Sequence, residues 1–256
     1  MKIATWNVNS IKARLPHVLS WLQEQQPDVL ALQETKTPDA TFPLAALNEA
    51  GYQAVHSGQK AYNGVAVLSR APSTDVLTDL PGWDDPQRRL LAVTLSGVRV
   101  VNLYVPNGSE VGSDKYRYKL DWLEQVTAWL TAELAIHPRL VVLGDFNIAP
   151  EDRDVHDPEV WRGKVLFSEP EHAALQRLLG LGLSDVFRCF EQAEGHFSWW
   201  DYRAAALRRN RGLRIDLILA SAALREHCTA CYIDKAPRGW ERPSDHAPVV
   251  AEFSVQ

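Results

Sequence analysis

The chain has 256 residues, 46% of them hydrophobic and 23% charged, the proportions of a soluble globular protein long enough to bury a sizeable core. Its formal charge of −5 excludes a partner held by overall positive charge, so any phosphate contact has to come from a local cluster. No run approaches the roughly 20 apolar residues of a membrane span. The first residues read as a strand rather than a signal peptide, and the three cysteines cannot all pair within one chain; both point to a reducing cytoplasm.

In chain order, the apolar run at 3–6 predicts a strand that ends at Asn7. Leu15, Val18, Leu19 and Leu22 then follow the period of an amphipathic helix, and Pro16 suits its first turn. Val29–Gln33 predicts a strand running into Glu34, and 64–69 predicts another. Leu90–Leu95 and Val98–Tyr104 read as neighbours paired across a turn at Ser96-Gly97. Leu120, Leu123, Thr127, Leu130 and Leu134 make a second helical stripe, the run at 140–144 leads into Asp145, and Leu175, Leu178 and Leu179 make a shorter stripe. Late strands are expected at 214–220 and Val249–Phe253. The polar or proline-rich loops are 37–43, 80–86 and 150–170, the last long enough to suspect function.

Helices alternating with strands, some directly paired, predict an α/β fold: a four-layer sandwich of two mixed β-sheets face to face with helices outside, in a single domain over 1–256. A short echo between Trp6-Asn7-Val8-Asn9 and Gly144-Asp145-Phe146-Asn147 hints at two related halves. Cys228-Thr-Ala-Cys231 has the spacing of a metal knuckle, but zinc needs four ligands and no second such pair exists. Small buried hydrophobes are the expected use of these cysteines.

Strand ends that share a sheet edge gather their terminal residues into one cleft. The candidates are Asn7, Glu34, Tyr104, Asp145 and Asn147, with Asp216, Asp245 and His246 from later segments. Carboxylates, amides, a phenol and an imidazole without cysteine are a donor set for Mg2+ or Mn2+ rather than for a closed zinc site. Such an ion polarises a phosphoryl oxygen and neutralises charge on the leaving oxygen. Taken singly, each has a plainer reading: Asp145 as a turn residue, Asp245-His246 as surface, Tyr104 as a strand-end aromatic.

Together they carry a resemblance. Trp6-Asn7-Val8-Asn9, Leu32-Gln33-Glu34-Thr35-Lys36, Gly64-Val65-Ala66-Val67-Leu68-Ser69-Arg70, Tyr104-Val105-Pro106-Asn107-Gly108 and Gly144-Asp145-Phe146-Asn147 resemble successive motifs of the exonuclease III family. Phe197-Ser198-Trp199-Trp200-Asp201-Tyr202, Arg211-Gly212-Leu213-Arg214-Ile215-Asp216 and Pro243-Ser244-Asp245-His246-Ala247-Pro248 continue the series over nearly the whole chain. The resemblance implies the DNase I-like four-layer sandwich and a divalent-metal-dependent phosphodiesterase. Its substrate would be double-stranded DNA with abasic sites, nicks or 3′ ends, cut by a monomer to leave a 3′-hydroxyl.

By the same resemblance Glu34 is the principal metal ligand, with Asn7 beside it and Asp245 close by. Asp145 orients or deprotonates the attacking water and Asn147 holds the phosphate or the nucleophile. Tyr104 donates to the phosphate or the leaving oxygen, and His246 contacts the phosphate while paired with Asp216. Were two ions used, Asp145, Asn147 and His246 would serve the second. A phosphatase of the same superfamily and an inactive nucleic-acid-binding regulator are the alternatives.

Arg203, Arg208, Arg209, Arg211 and Arg214 fall within twelve residues that contain no acid, a candidate strip for the DNA backbone. Lys115, Arg117 and Lys119 form a second basic group, to which Lys36 and Lys60 add. Trp199, Leu213 and Ile215 match positions that in the family line a pocket for a flipped-out sugar without its base. Leu166 puts a bulky side chain where a small one is expected beside that pocket, and 108–113 lacks a large basic wedge. Both departures favour 3′ ends over internal abasic sites.

Overall fold

The first apolar run becomes β1 (Lys2–Asn7) in the computed structural model, which describes residues 1–255. Alternate side chains leave a strand on opposite faces, and both faces of β1 are buried. Ile3 joins a core shared with a second sheet, whereas Ala4 and Trp6 pack beneath α1 (Ile11–Gln25) with Val18, Trp21 and Leu22. Ser10 caps α1 by accepting the Ala13 N–H. The cap, rather than the apolar stripe, sets the start, so Pro16 lies in the second turn and not in the first as expected.

β2 (Val29–Gln33) runs parallel to β1; α2 (Leu44–Glu49), β3 (Gln53–Ser57) and β4 (Val65–Ser69) follow, with β4 antiparallel to both β2 and β3. The chain then builds a second sheet from β5 (Thr74–Leu77), β6 (Leu90–Leu95), β7 (Val98–Tyr104), α3 (Asp114–Ile136) and β8 (Leu140–Asp145). Next come α4 (Pro158–Trp161), α5 (Glu169–Leu179), β9 (Leu183–Asp185) and β10 (Asp216–Ser221). Finally α6 (Ala222–Arg225), β11 (Cys228–Ile233) and β12 (Val249–Phe253) return to the first sheet. The sheet orders are β11-β12-β1-β2-β4-β3 and β5-β6-β7-β8-β10-β9. β6 and β7 meet at Ser96-Gly97, where φ of 49° and 76° make the tight hairpin turn that the sequence indicated.

Val29, Val65 and Val67 of one sheet face Val93, Val100, Val141 and Ile218 of the other. Outside the second sheet, α3 and α5 bury Trp122, Leu123, Leu130, Leu175 and Leu178. The expected four-layer sandwich is present. Four strands that the apolar pattern did not reveal (β3, β5, β9 and β11) are all edge strands. β11 carries Cys228 and Cys231, both free; Cys231 is buried in the inter-sheet core and Cys228 packs against it.

Two related halves are also present, but not in the alignment that the short echo implied. The parallel pair β1 and β2, joined by α1, corresponds to β7 and β8, joined by α3, while β4 and β3 correspond to β10 and β9. By register Asn7 is therefore equivalent to Tyr104 and Gln33 to Asp145, which places Glu34 one residue further on. Between the sheets a polar belt ties the halves together. Gln33 Nε2 donates to Thr5 Oγ1 and Asn102 Oδ1, both at 2.8 Å, and Asn102 Nδ2 donates to the carbonyls of Leu32 and Ala66, both at 2.9 Å. Asn102→Ala strips partners from three buried groups of the first sheet and should cost about 3 kcal/mol of stability. Urea unfolding would show this as a lower midpoint at unchanged slope; a loss under about 0.5 kcal/mol would mean that water replaces the amide.

Candidate active site

The halves present their strand ends at one edge of the sandwich, where β1 finishes at Asn7, β2 leads into Glu34, β7 finishes at Tyr104 and β8 at Asp145. Gly144 permits the close approach there. Its φ is 145°, and a Cβ would stand 1.9 Å from the Leu103 carbonyl oxygen, so a side chain would push β8 away from β7 just before Asp145.

Asn7 Nδ2 donates to Asp145 Oδ2 and to Glu34 Oε1, each at 2.9 Å, and its Oδ1 accepts the Asn9 N–H at 3.0 Å. Expected as a ligand, Asn7 instead turns its nitrogen to the two carboxylates and bridges them, with its oxygen on the Asn9 amide. Lys36 Nζ lies 3.0 Å from Glu34 Oε2. Asn147, at φ 47°, donates its N–H to Asp145 Oδ1 at 2.9 Å and its Nδ2 to the Val105 carbonyl at 2.9 Å.

Asp216, the first residue of β10, lies opposite Asp145 in register. Its carboxylate accepts Ser198 Oγ at 2.6 Å and binds His246 Nδ1 at 2.8 Å, leaving Nε2 of the imidazole 3.7 Å from Asp145 Oδ2. Burial alone would lower the His246 pKa, but Asp216 and Asp145 outweigh it and raise it to about 10, so the ring is cationic at neutral pH. Burial drives the Asp145 carboxyl up to about 7 against the pull of His246. Burial, then Glu34 and Asp145, lift the Tyr104 phenol well above its usual value, which keeps it a hydrogen-bond donor. Asp245 accepts Trp199 Nε1 at 2.9 Å and Asn9 Nδ2 at 3.1 Å. Burial opposes its ionisation, but His246 and the Trp199 N–H outweigh that and hold it below the usual carboxylate range.

One oxygen each from Glu34 and Asp145 and one nitrogen of His246 lie within 4.8 Å of one another. Four carboxylates (Glu34, Asp145, Asp216 and Asp245) meet here with His246 and Lys36 as their directly paired cations, an excess of negative charge that a divalent cation would balance. The mostly oxygen donor set fits a hard ion. A cavity of about 180 Å³ joins these groups to Leu166, Trp199 and Ile215, with Leu213 packed beneath in the same apolar cluster. Of the paired tryptophans, Trp200 is core and Trp199 faces the cavity.

Two basic residues are not where the charge pattern placed them. Arg214 is buried, 2.7 Å from both Asp154 and Asp185, and Arg188 shares Asp154. Lys119 is fully buried against Glu171. Arg203 is held in a fork by Asp201, whereas Arg208, Arg209, Arg211 and Lys115 are exposed. No pattern in the residues pointed to Arg89, whose guanidinium sits 4.7 Å from the Tyr104 ring centre and donates to the Tyr104 carbonyl at 3.2 Å. Ser198, which orients Asp216, was legible only as part of the motif around Trp199.

The endonuclease/exonuclease/phosphatase family model matches residues 4–246. Exodeoxyribonuclease III of Haemophilus influenzae is 37% identical over 99% of this chain and 100% of its own length. Among solved structures, the 3′ phosphatase NExo from Neisseria, bound to a product DNA hairpin, superimposes with a TM-score of 0.98 at 48% identity. An AP endonuclease from Archaeoglobus fulgidus does so with a TM-score of 0.96 at 42% identity; each covers 100% of both chains.

Proposed function

Because the chain belongs to the endonuclease/exonuclease/phosphatase family and is a phosphodiester hydrolase of the exonuclease III type, we propose that it is a Mg2+-dependent DNA-repair enzyme. On this reading it acts on double-stranded DNA chiefly at nicks and 3′ ends, as a 3′-phosphodiesterase and 3′–5′ exonuclease, and incises abasic sites less readily. The observation that carries it is the narrow cavity in which Glu34, Asp145 and His246 stand beside an apolar wall of Leu166, Trp199 and Ile215.

Glu34 is the principal residue to hold the ion, with Asp245 across the cavity. When bound, Mg2+ (or Mn2+) supplies charge neutralisation at the phosphoryl and leaving oxygens. Asp145, its pKa raised to about 7, is poised to accept a proton from the attacking water, and the Asn147 N–H fixes the direction of its carboxylate. His246, charged through Asp216, pairs with a phosphate oxygen. Tyr104 stays protonated and donates to the phosphate or the leaving oxygen. The complete set argues against an inactive regulator.

Three duplexes test this, each with and without Mg2+: a nick bearing a 3′-phosphate, a recessed 3′-hydroxyl end, and an internal abasic analogue. The nicked 3′-phosphate should be turned over at least tenfold faster than the abasic site, and chelator should abolish both; the reverse order would overturn the 3′-end preference. Arg208, Arg209 and Arg211 supply exposed charge beside the aromatic segment. Replacing all three by Ala should weaken duplex binding and flatten the salt dependence by about one unit for each phosphate no longer neutralised. If affinity and slope stay the same in fluorescence anisotropy across a salt series, the strip is only a solvated loop.

A further inference from the structure

Lys119 on α3 and Glu171 on α5 form an ion pair with both side chains fully buried. A buried pair contributes little net stability over apolar residues of the same volume, so its other contacts indicate what it does. Besides Glu171, Lys119 Nζ donates to the carbonyls of Asn147 at 2.6 Å and Asn107 at 3.2 Å, which uses all three of its N–H groups. Glu171 caps α5 with Ser168, as a capping box requires. Its Oε1 goes further and also accepts the Leu166 N–H at 3.0 Å.

Leu166 needs such a hold. Its φ is 77°, a left-handed conformation that a branched aliphatic residue avoids unless its surroundings impose it. The Glu171 carboxylate takes its N–H, and its carbonyl accepts the Ala149 N–H at 2.9 Å. The pair thus ties three segments to one buried point: the loop after β7 through Asn107, the loop after β8 through Asn147, and the loop before α5 through Leu166. All three residues line the cavity of the candidate active site.

We infer that the Lys119–Glu171 pair is a positioning device, which sets the Asn147 and Asn107 side of the phosphate site against the Leu166 wall and so fixes both turnover and the choice of 3′ terminus. This rests on the hydrolase reading of the same cavity. A merely structural pair would be replaceable by apolar residues without change in the site.

The test is the double variant Lys119→Met/Glu171→Leu, which removes both charges together and leaves neither ion unpaired. Its unfolding midpoint should fall, because the Leu166 and Ser168 N–H groups and the Asn107 and Asn147 carbonyls lose their partners, but the chain should still fold in one cooperative transition. kcat on a nicked 3′-phosphate duplex should fall three- to tenfold with KM within twofold, and the preference for that duplex over an internal abasic analogue should shrink by a similar factor. Hydrogen exchange gives a readout that does not depend on activity: the Leu166 amide should exchange at least tenfold faster, while Val141 and Val142 in β8 keep their protection. An inactive unmodified chain overturns the hydrolase reading, and the exchange rates still decide the positioning. Unchanged Leu166 protection, or unchanged kcat and preference in the active enzyme, overturns the inference. A single Lys119→Met variant separates charge from shape: it strands the Glu171 carboxylate and should lose stability as well as turnover.

Discussion

Glu34→Ala will lower turnover of a 3′-phosphorylated duplex by about a thousandfold or more and leave the chain folded. Glu34 sits just past β2 at φ 52°, on the rim of the cavity, with its side chain 19% exposed. Truncation removes the hydrogen bond from Asn7 and the ion pair with Lys36, both partly solvated, so stability should change by no more than about 1 kcal/mol. Catalysis depends on the same carboxylate in a different way. On the metal-dependent reading its loss removes the principal carboxylate for the ion, and with it the neutralisation of charge that grows on the phosphoryl oxygens. A loss of about 4 kcal/mol in transition-state stabilisation corresponds to three decades in rate at roughly 1.36 kcal/mol per decade. Glu34→Gln separates charge from shape, since it keeps an oxygen for the Asn7 N–H and should still lose nearly as much activity. Single-turnover rates in Mg2+ with urea unfolding as the control decide it. Rates within tenfold of the unmodified chain, or full activity in excess chelator, would sink the metal-dependent reading.

How much of this site could be seen in the residues alone depended on whether both ends of an interaction lay close in the chain. The central strands β1, β2, β7 and β8 are buried on both faces, so they read as largely apolar runs, and the polar residues at which those runs end marked Asn7, Glu34, Tyr104 and Asp145. The edge strands β3 and β5 bury much less and left no such run. Charge was misread where the partner is distant. Arg214 and Lys119 looked like surface cations because Asp154 and Glu171 lie 60 and 52 residues away. The repeat was misaligned for a related reason: the equivalent positions hold Asn7 and Tyr104, or Gln33 and Asp145, so identity of letters could not reveal it. The role of Asn7 turns on which atom of its amide faces the carboxylates, which the Asn9 N–H decides, and Asn147 reaches Asp145 through its backbone N–H while its side chain is held by Val105 and Asn107.

Leu166→Gly should raise incision at an internal abasic site more than tenfold and change removal of a 3′-phosphate less than threefold. Leu166 is 6% exposed, packed in one cluster with Leu213 and Ile215, with Trp199 against it, and it lines the cavity that also holds Asp145 and His246. A sugar extruded from within a continuous strand has to enter beside it with backbone on both sides, whereas a 3′ terminus enters with a chain on one side only. A rigid side chain in this position therefore excludes the first substrate more than the second. Two opposing terms keep the variant folded. Losing the buried side chain costs about 2–3 kcal/mol, and glycine relieves about 1–2 kcal/mol of strain at φ 77°. Leu166→Ala is the informative control, because it shortens the side chain and keeps the strain; its gain in abasic incision should fall between those of the unmodified chain and the glycine variant. Tenfold is about 1.4 kcal/mol, well within what removal of a steric block supplies. Vigorous abasic incision by the unmodified chain would remove the premise. An equal fall in both activities would show that Leu166 only packs beneath its loop, and that the wall choosing between substrates lies elsewhere, in Trp199 or Ile215.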